Sequence, residues 1–151
     1  MKGQTKTRKV DMIIVHCSDT YKTMDIGSQE IKKWHVEERG WSGIGYHFII
    51  RRDGTIELGR DLDEDGDIFE EIGAHTYGYN KKSIGICMVG GKAEDGTAEN
   101  NFTETQFEAL KTLIKVVRAD YPILTVHGHN EFANKDCPSF DVQEWLREQF
   151  S

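Results

Sequence analysis

The chain has 151 residues, 37% hydrophobic and 30% charged, which is the composition of one globular domain and excludes a fibrous or disordered chain. Acids outnumber bases 26 to 19, a formal charge of −7, which argues against a nucleic-acid partner or an anionic membrane surface, since both need a basic footprint. No apolar run approaches the ~20 residues of a membrane helix, and no apolar leader segment follows Met1, so no membrane insertion and no signal peptide are expected. Residues 1–9 carry Lys2, Lys6, Arg8 and Lys9 without an acid, and read as a mobile basic tail before a domain at 10–151. Val10 to Val15 is a short apolar run rich in β-branched residues, which predicts a buried strand. His16-Cys17-Ser18-Asp19-Thr20 leaves its C-terminal end, where ligand sites of open α/β sheets collect.

A helix is expected over 28–38, capped by Ser28 and stopped by Gly40, with Ile31, Trp34 and His35 on one face. Asp53-Gly54 between strand-like runs predicts a hairpin. Its alternation sets Tyr46, Phe48 and Ile50 on one face, His47 and Ile49 on the other. An acidic loop occupies 61–73, and a strand follows over 83–89. Thr103-Glu104-Thr105-Gln106 is a capping box, opening a helix with an apolar stripe of Phe107, Leu110, Ile114 and Val117. That helix should end near Asp120, ahead of Pro122. A short strand is expected over 123–126, with His127-Gly128-His129 leaving it. Asp141 and Glu144 cap a last helix that buries Val142, Trp145 and Leu146. The order predicts a single α/β domain, with a central mixed sheet of about five strands flanked by helices.

Three cysteines (Cys17, Cys87, Cys137) make a disulfide framework improbable and a metal or catalytic thiol worth weighing. No C-x-x-C pair exists, so a closed structural zinc site is not expected. His16, His129 and Cys137 would instead make three ligands with a fourth position open, the catalytic arrangement. The alternative at this point is core histidines and buried cysteines, common in any domain.

The motifs become specific together. They are His16 to Thr20, Ile31-Lys32-Lys33-Trp34-His35, Gly45-Tyr46-His47-Phe48-Ile49-Ile50 and Arg52-Asp53-Gly54-Thr55. They continue with Gly78-Tyr79-Asn80, Ser83 to Ile86, Asn101-Phe102-Thr103 and His129-Asn130-Glu131 through Lys135 to Phe140. In order and approximate spacing, from about residue 10 to 147, the chain resembles the zinc-dependent N-acetylmuramoyl-L-alanine amidases of the type-2 family. Among these it looks most like the small phage lysozyme-type endolysins; peptidoglycan recognition proteins are more distant relatives. The resemblance implies an amidase-like fold and one catalytic zinc on His16, His129 and Cys137. It implies Tyr46 beside the reactive water and Lys135 at the developing oxyanion. It places His75 and Asn80 where relatives contact the muropeptide. Trp41, in a Gly-rich loop, is a further groove candidate.

Several residues read as structural. Cys17 and Cys87 fit the core, as do Trp34 and Trp145 on apolar helix faces. His47 reads equally as core or as support for a ligand. His127 should face away from the metal. Within the acidic loop, Asp61, Asp63, Asp65 and Asp67 follow the first half of a calcium pattern, D-x-D-x-D-G. The glutamate expected at the twelfth place is missing, since Ile72 stands there, so a solvated acidic loop is the stronger expectation. Residues 61–71 hold seven acids and no base, so the whole net charge sits in this one segment.

The resemblance implies hydrolysis of the amide between N-acetylmuramic acid and L-alanine of bacterial peptidoglycan. The expected setting is a phage endolysin, monomeric, made in the host cytoplasm and reaching the wall after membrane permeabilisation. The alternatives are a cytosolic muropeptide-recycling amidase, a non-catalytic peptidoglycan-binding module, or a cysteine peptidase using Cys137 or Cys17. Cys137 disfavours the binding module, because relatives of that kind usually lack the cysteine ligand.

Overall fold

The computed structural model describes residues 8–150, so most of the segment read as a tail lies outside the described residues. Arg8 is anchored: its guanidinium donates to the Phe69 carbonyl at 2.8 Å and the Ser83 carbonyl at 3.0 Å.

The main sheet holds β1 (Met12–Cys17), β3 (Phe48–Ile50), β4 (Ile56–Leu58), β5 (Ser83–Met88) and β7 (Thr125–Gly128), in the order β4-β3-β5-β1-β7. All neighbours are parallel except the edge pair β3–β4, which is the hairpin. A small parallel pair, β2 (Thr20–Tyr21) and β6 (Gly91–Lys92), lies beyond it. The helices are α1 (Ser28–Lys33), α2 (Glu104–Asp120) and α3 (Val142–Phe150). The expected mixed five-stranded α/β sheet is the observed one.

β1 is buried along nearly its whole length, as a central parallel strand covered on both faces must be. One face carries Ile13, Val15, Phe48, Ile50, Ile84, Ile86 and Met88 against Leu110, Ile114 and Val117 of α2 and Trp145 of α3. The other carries Ile49, Cys87 and Val89 against Ile31 of α1, with Ile26 and Ile44. Each fully buried Ile contributes roughly 1.5–3 kcal/mol. Exposed pairs such as Arg51–Asp25 add about 0–1 kcal/mol, so the two apolar layers hold the fold. The Thr103 capping box is present: Thr103 Oγ1 accepts from Gln106 N, and Gln106 Oε1 accepts from Thr103 N.

Several local expectations differ, beginning with β1, which runs Met12–Cys17 and so takes in His16 and Cys17 instead of ending at Val15. Gly27 caps α1 in place of Ser28, and Glu30 Oε1 accepts from Gly27 N while Glu57 takes the Ser28 amide. The helix ends at Lys33 and continues as a π turn, Trp34–Glu38, in which His35 is turned inward to accept from Gly45 N at 2.9 Å. In the hairpin, Tyr46 does not share the face of Phe48 and Ile50 but packs with Ile49. The amides of Gly59 and Arg60 donate to the carbonyls of His47 and Tyr46, at 2.7 and 2.8 Å. Such consecutive bonds break the alternate pairing of a regular ladder and, with it, the pleat. A Cβ on Gly59 would lie 2.1 Å from the Tyr46 carbonyl oxygen, so only glycine permits this approach. Finally, β7 starts at Thr125, two residues late, and Ile123 is 82% exposed.

Candidate metal centre

β1 and β7 are parallel neighbours, and Val15 pairs with Gly128. The next residue in each case is a histidine, His16 still within β1 and His129 just past the end of β7, so the two stand side by side at the C-terminal end of the sheet. Their ring centroids are 4.5 Å apart. The chain turns at His129–Glu131 and brings Cys137 back over the strand end. Cys17 N donates to Cys137 Sγ at 3.2 Å, and that sulfur lies 3.8 Å from His16 Nδ1.

The donor atoms of His16, His129 and Cys137 all lie within 4.8 Å of one another. A zinc tetrahedron with bonds of about 2.0–2.3 Å has edges of roughly 3.3–3.8 Å. Donor type and spacing therefore fit one zinc ion. Burial holds the His16 pKa well below its ordinary value, with His75, His129 and Lys135 adding to the effect. His129 is lowered by burial and then by Lys135. Both imidazoles are thus neutral, the form that ligates a metal. The Cys137 thiol is pushed up, first by its hydrogen bond with Cys17 and then by burial, so its proton leaves readily only in exchange for a cation.

The trio forms the floor of a cleft of about 590 Å³ that also exposes Tyr46, His75, Trp41 and Lys135. The Tyr46 ring stands 5.1 Å from the His16 ring. Burial and then the nearby thiols hold its phenol well above the ordinary range, so it stays a hydrogen-bond donor. Lys135 stands exposed at the rim. On one wall Trp41 packs against His35 at 4.6 Å and carries the Arg39 guanidinium at 5.2 Å. The other wall is the turn Gly96-Thr97-Ala98. His35, Arg39 and this turn were not singled out in the sequence. His35 sat inside a matching motif, but its position on an apolar helix face disguised it.

Asn80 does not line this cleft. Its Oδ1 accepts from His75 N and Thr76 N, both at 2.9 Å, and so closes a turn instead of facing a groove. His47 is fully buried, accepting from Gly85 N on Nδ1 at 3.0 Å and donating from Nε2 to the Glu71 carbonyl at 2.7 Å. It ties the hairpin to the acidic loop. Cys17 and Cys87 are buried, and His127 faces Thr125 and Glu131, away from the cleft.

The family model described as N-acetylmuramoyl-L-alanine amidase matches residues 6–140. The chain belongs to this amidase family. An endolysin of Enterobacteria phage K11 is 46% identical over 143 residues, covering 95% of this chain and 89% of that one. The amidase also resembles the solved N-acetylmuramoyl-L-alanine amidase LysC from Clostridium intestinale URNW. There the identity is 30% and the TM-score 0.75, covering 93% of this chain and 85% of that one. Drosophila PGRP-LB, solved as a mutant in complex with tracheal cytotoxin, has a TM-score of 0.73 at 26% identity, covering 95% of the amidase and 83% of that chain. The amidase is therefore an amidohydrolase of peptidoglycan, of the kind found in phage endolysins.

The acidic loop is more built than a solvated loop would be. Ile68 is buried in the main core, and Phe69 packs against Phe48 and Tyr121. Asp61 accepts from the amides of Asp65 and Gly66, Asp67 from that of Phe69, and buried Glu71 from that of Leu62. Asp61, Asp63 and Asp65 offer oxygens within 4.8 Å of one another, as do Asp63, Glu70 and Glu71, while Asp67 belongs to neither group. Hydrogen bonding to Asp65, with desolvation and Asp63, pushes the Glu70 carboxyl up to about 7 from its ordinary 4.5. Glu70 therefore favours the folded loop most below pH 4.5, and that contribution is lost as pH rises through 7. Amide exchange over 61–71, corrected for intrinsic rates, should be faster at pH 8 than at pH 5.5. Equal protection at both values would contradict the shared proton.

Proposed function

We propose that the amidase is a phage endolysin working with one zinc ion held by His16, His129 and Cys137. The convergence of these three donors on the floor of an open cleft carries the reading. Zinc bound there supplies a Lewis acid and an activated water with a pKa near 7. Tyr46, neutral on the cleft floor, orients that water or passes a proton. Lys135 at the rim stabilises the negative charge that develops on the scissile carbonyl oxygen. Trp41 and Arg39 offer a flat wall to the substrate. The scissile bond is the amide between N-acetylmuramic acid and L-alanine.

The acidic loop holds no calcium on this proposal, because exposed Ile72 stands where the calcium pattern needs its bidentate glutamate. Residues 10–151 are the proposed catalytic unit, monomeric, with the basic segment 1–9 ahead of it. On this proposal the protein is made in the host cytoplasm and released to the wall once the membrane is permeabilised; no helix among the described residues is long and apolar enough to cross a membrane. Kinship at 46% with a phage endolysin favours lysis over muropeptide recycling. Metal analysis should find about one zinc per chain, removed by EDTA together with activity. Turnover that survives complete zinc removal would point to thiol chemistry on Cys137 or Cys17 instead.

A further inference from the structure

We infer that His75 is a positioning residue for His16, the middle link of a hydrogen-bond chain that leaves His16 Nδ1 free to ligate. The inference rests on the ligand set proposed above. The direction of the chain is fixed at its far end. A carbonyl only accepts, so Ser83 Oγ donates to the Tyr79 carbonyl at 2.8 Å. With its proton committed, Ser83 Oγ accepts from His75 Nε2 at 3.3 Å. A neutral His75 protonated on Nε2 has a bare Nδ1, which accepts from His16 Nε2 at 2.9 Å. His16 then carries its one proton on Nε2, and its Nδ1 lone pair faces Cys137 Sγ at 3.8 Å. Thr76 Oγ1, 3.0 Å from His75 Nδ1 and 3.2 Å from His16 Nε2, fits the same order by accepting from His16 Nε2 and donating to His75 Nδ1. A second partner on a ligating histidine fixes both its tautomer and its ring orientation.

The surroundings hold the link in place. The His75 and His16 rings meet edge-on, at 4.9 Å and 89°. Asn80 Oδ1 pins the backbone of His75 and Thr76. On β5, Gly85 leaves room for the ring, since a Cβ there would lie 2.6 Å from His75 Cγ and Cδ2. Both ring nitrogens of His75 are committed within the protein, so the residue has little left to offer a substrate even though its ring borders the cleft.

The test is zinc affinity by competition with a chromophoric chelator, alongside thermal unfolding of the metal-free proteins. His75→Leu removes the acceptor; His75→Asn keeps an oxygen near the Nδ1 position. His75→Leu should weaken zinc binding about 10–100-fold, and His75→Asn should recover most of the loss. Wild-type affinity in His75→Leu, with only the metal-free unfolding temperature lowered, would overturn the inference. So would a His75→Asn as weak as His75→Leu. If His75→Leu fails to fold, His75→Asn against His75→Gln decides, because Gln places its amide at the Nε2 end. Weaker zinc binding in Gln than in Asn supports the link, and equal affinities overturn it. Cys137→Ala in the same assay keeps the two claims apart. Zinc retained there sinks the ligand set; zinc lost there with His75→Leu unchanged sinks only the positioning role.

Discussion

Cys137→Ala is expected to lose zinc and amidase activity together. The Cys137 sulfur is one of three donors within 4.8 Å of one another, and the backbone amide of Cys17 is aimed at it at 3.2 Å. Without it, two neutral imidazoles remain, too few to hold zinc in a tetrahedron with one open position. Activity should fall by more than about 100-fold, beyond the 10–100-fold cost of losing a residue that only supports a ligand. The fold should survive, because Cys137 lies outside both apolar clusters. Metal analysis of the purified variant and its clearing of a murein suspension measure both effects. Zinc and turnover retained would refute the ligand set. Zinc retained with turnover lost would make Cys137 a nucleophile instead.

Lys135→Met should lower kcat by about 10²–10³-fold, the usual cost of losing one group that stabilises an oxyanion. Its zinc content should be unchanged. Lys135 sits at the cleft rim and reaches His16 and His129 only through its charge, so its removal leaves the three donors intact. Met keeps most of the length of the side chain and removes the ammonium with its charge and donors. A loss confined to KM would make Lys135 a substrate-binding group. Loss of zinc would place it in the support of the metal.

The sheet was legible in the sequence because its strands are short β-branched runs bounded by turns. β5 is read to within one residue, whereas β1 runs from Met12 to Cys17, two residues later than the apolar run Val10 to Val15 suggests. Where the reading slips, pairing overrides local pattern. β7 begins two residues beyond the apolar Ile123-Leu124 because its partner β1 selects Thr125 to Gly128. Tyr46 changes face because Gly59 and Arg60 bond to consecutive carbonyls, which no alternation rule anticipates. The ligand trio spans more than a hundred residues, so spacing alone left a core alternative open and the family motifs were needed to single it out. The register Val15–Gly128 supplies the physical reason for its convergence. The partners of His75 were hidden for the same cause. They lie on a turn and a strand that meet only after folding, in space opened by Gly85. In the acidic loop the charge was plain, but the anchoring by Ile68 and Phe69 shows only once the core is assembled.

The central claim is zinc-dependent cleavage of the amide between muramic acid and L-alanine, and mass spectrometry of digested purified murein tests it most directly. Incubated with the protein, murein should release intact stem peptides with a free L-alanine amino terminus, leaving glycan strands with free lactoyl carboxyl groups. EDTA should stop the release, and added zinc should restore it. Fragments cut between sugars, or stem peptides released at full rate in EDTA, would contradict the account.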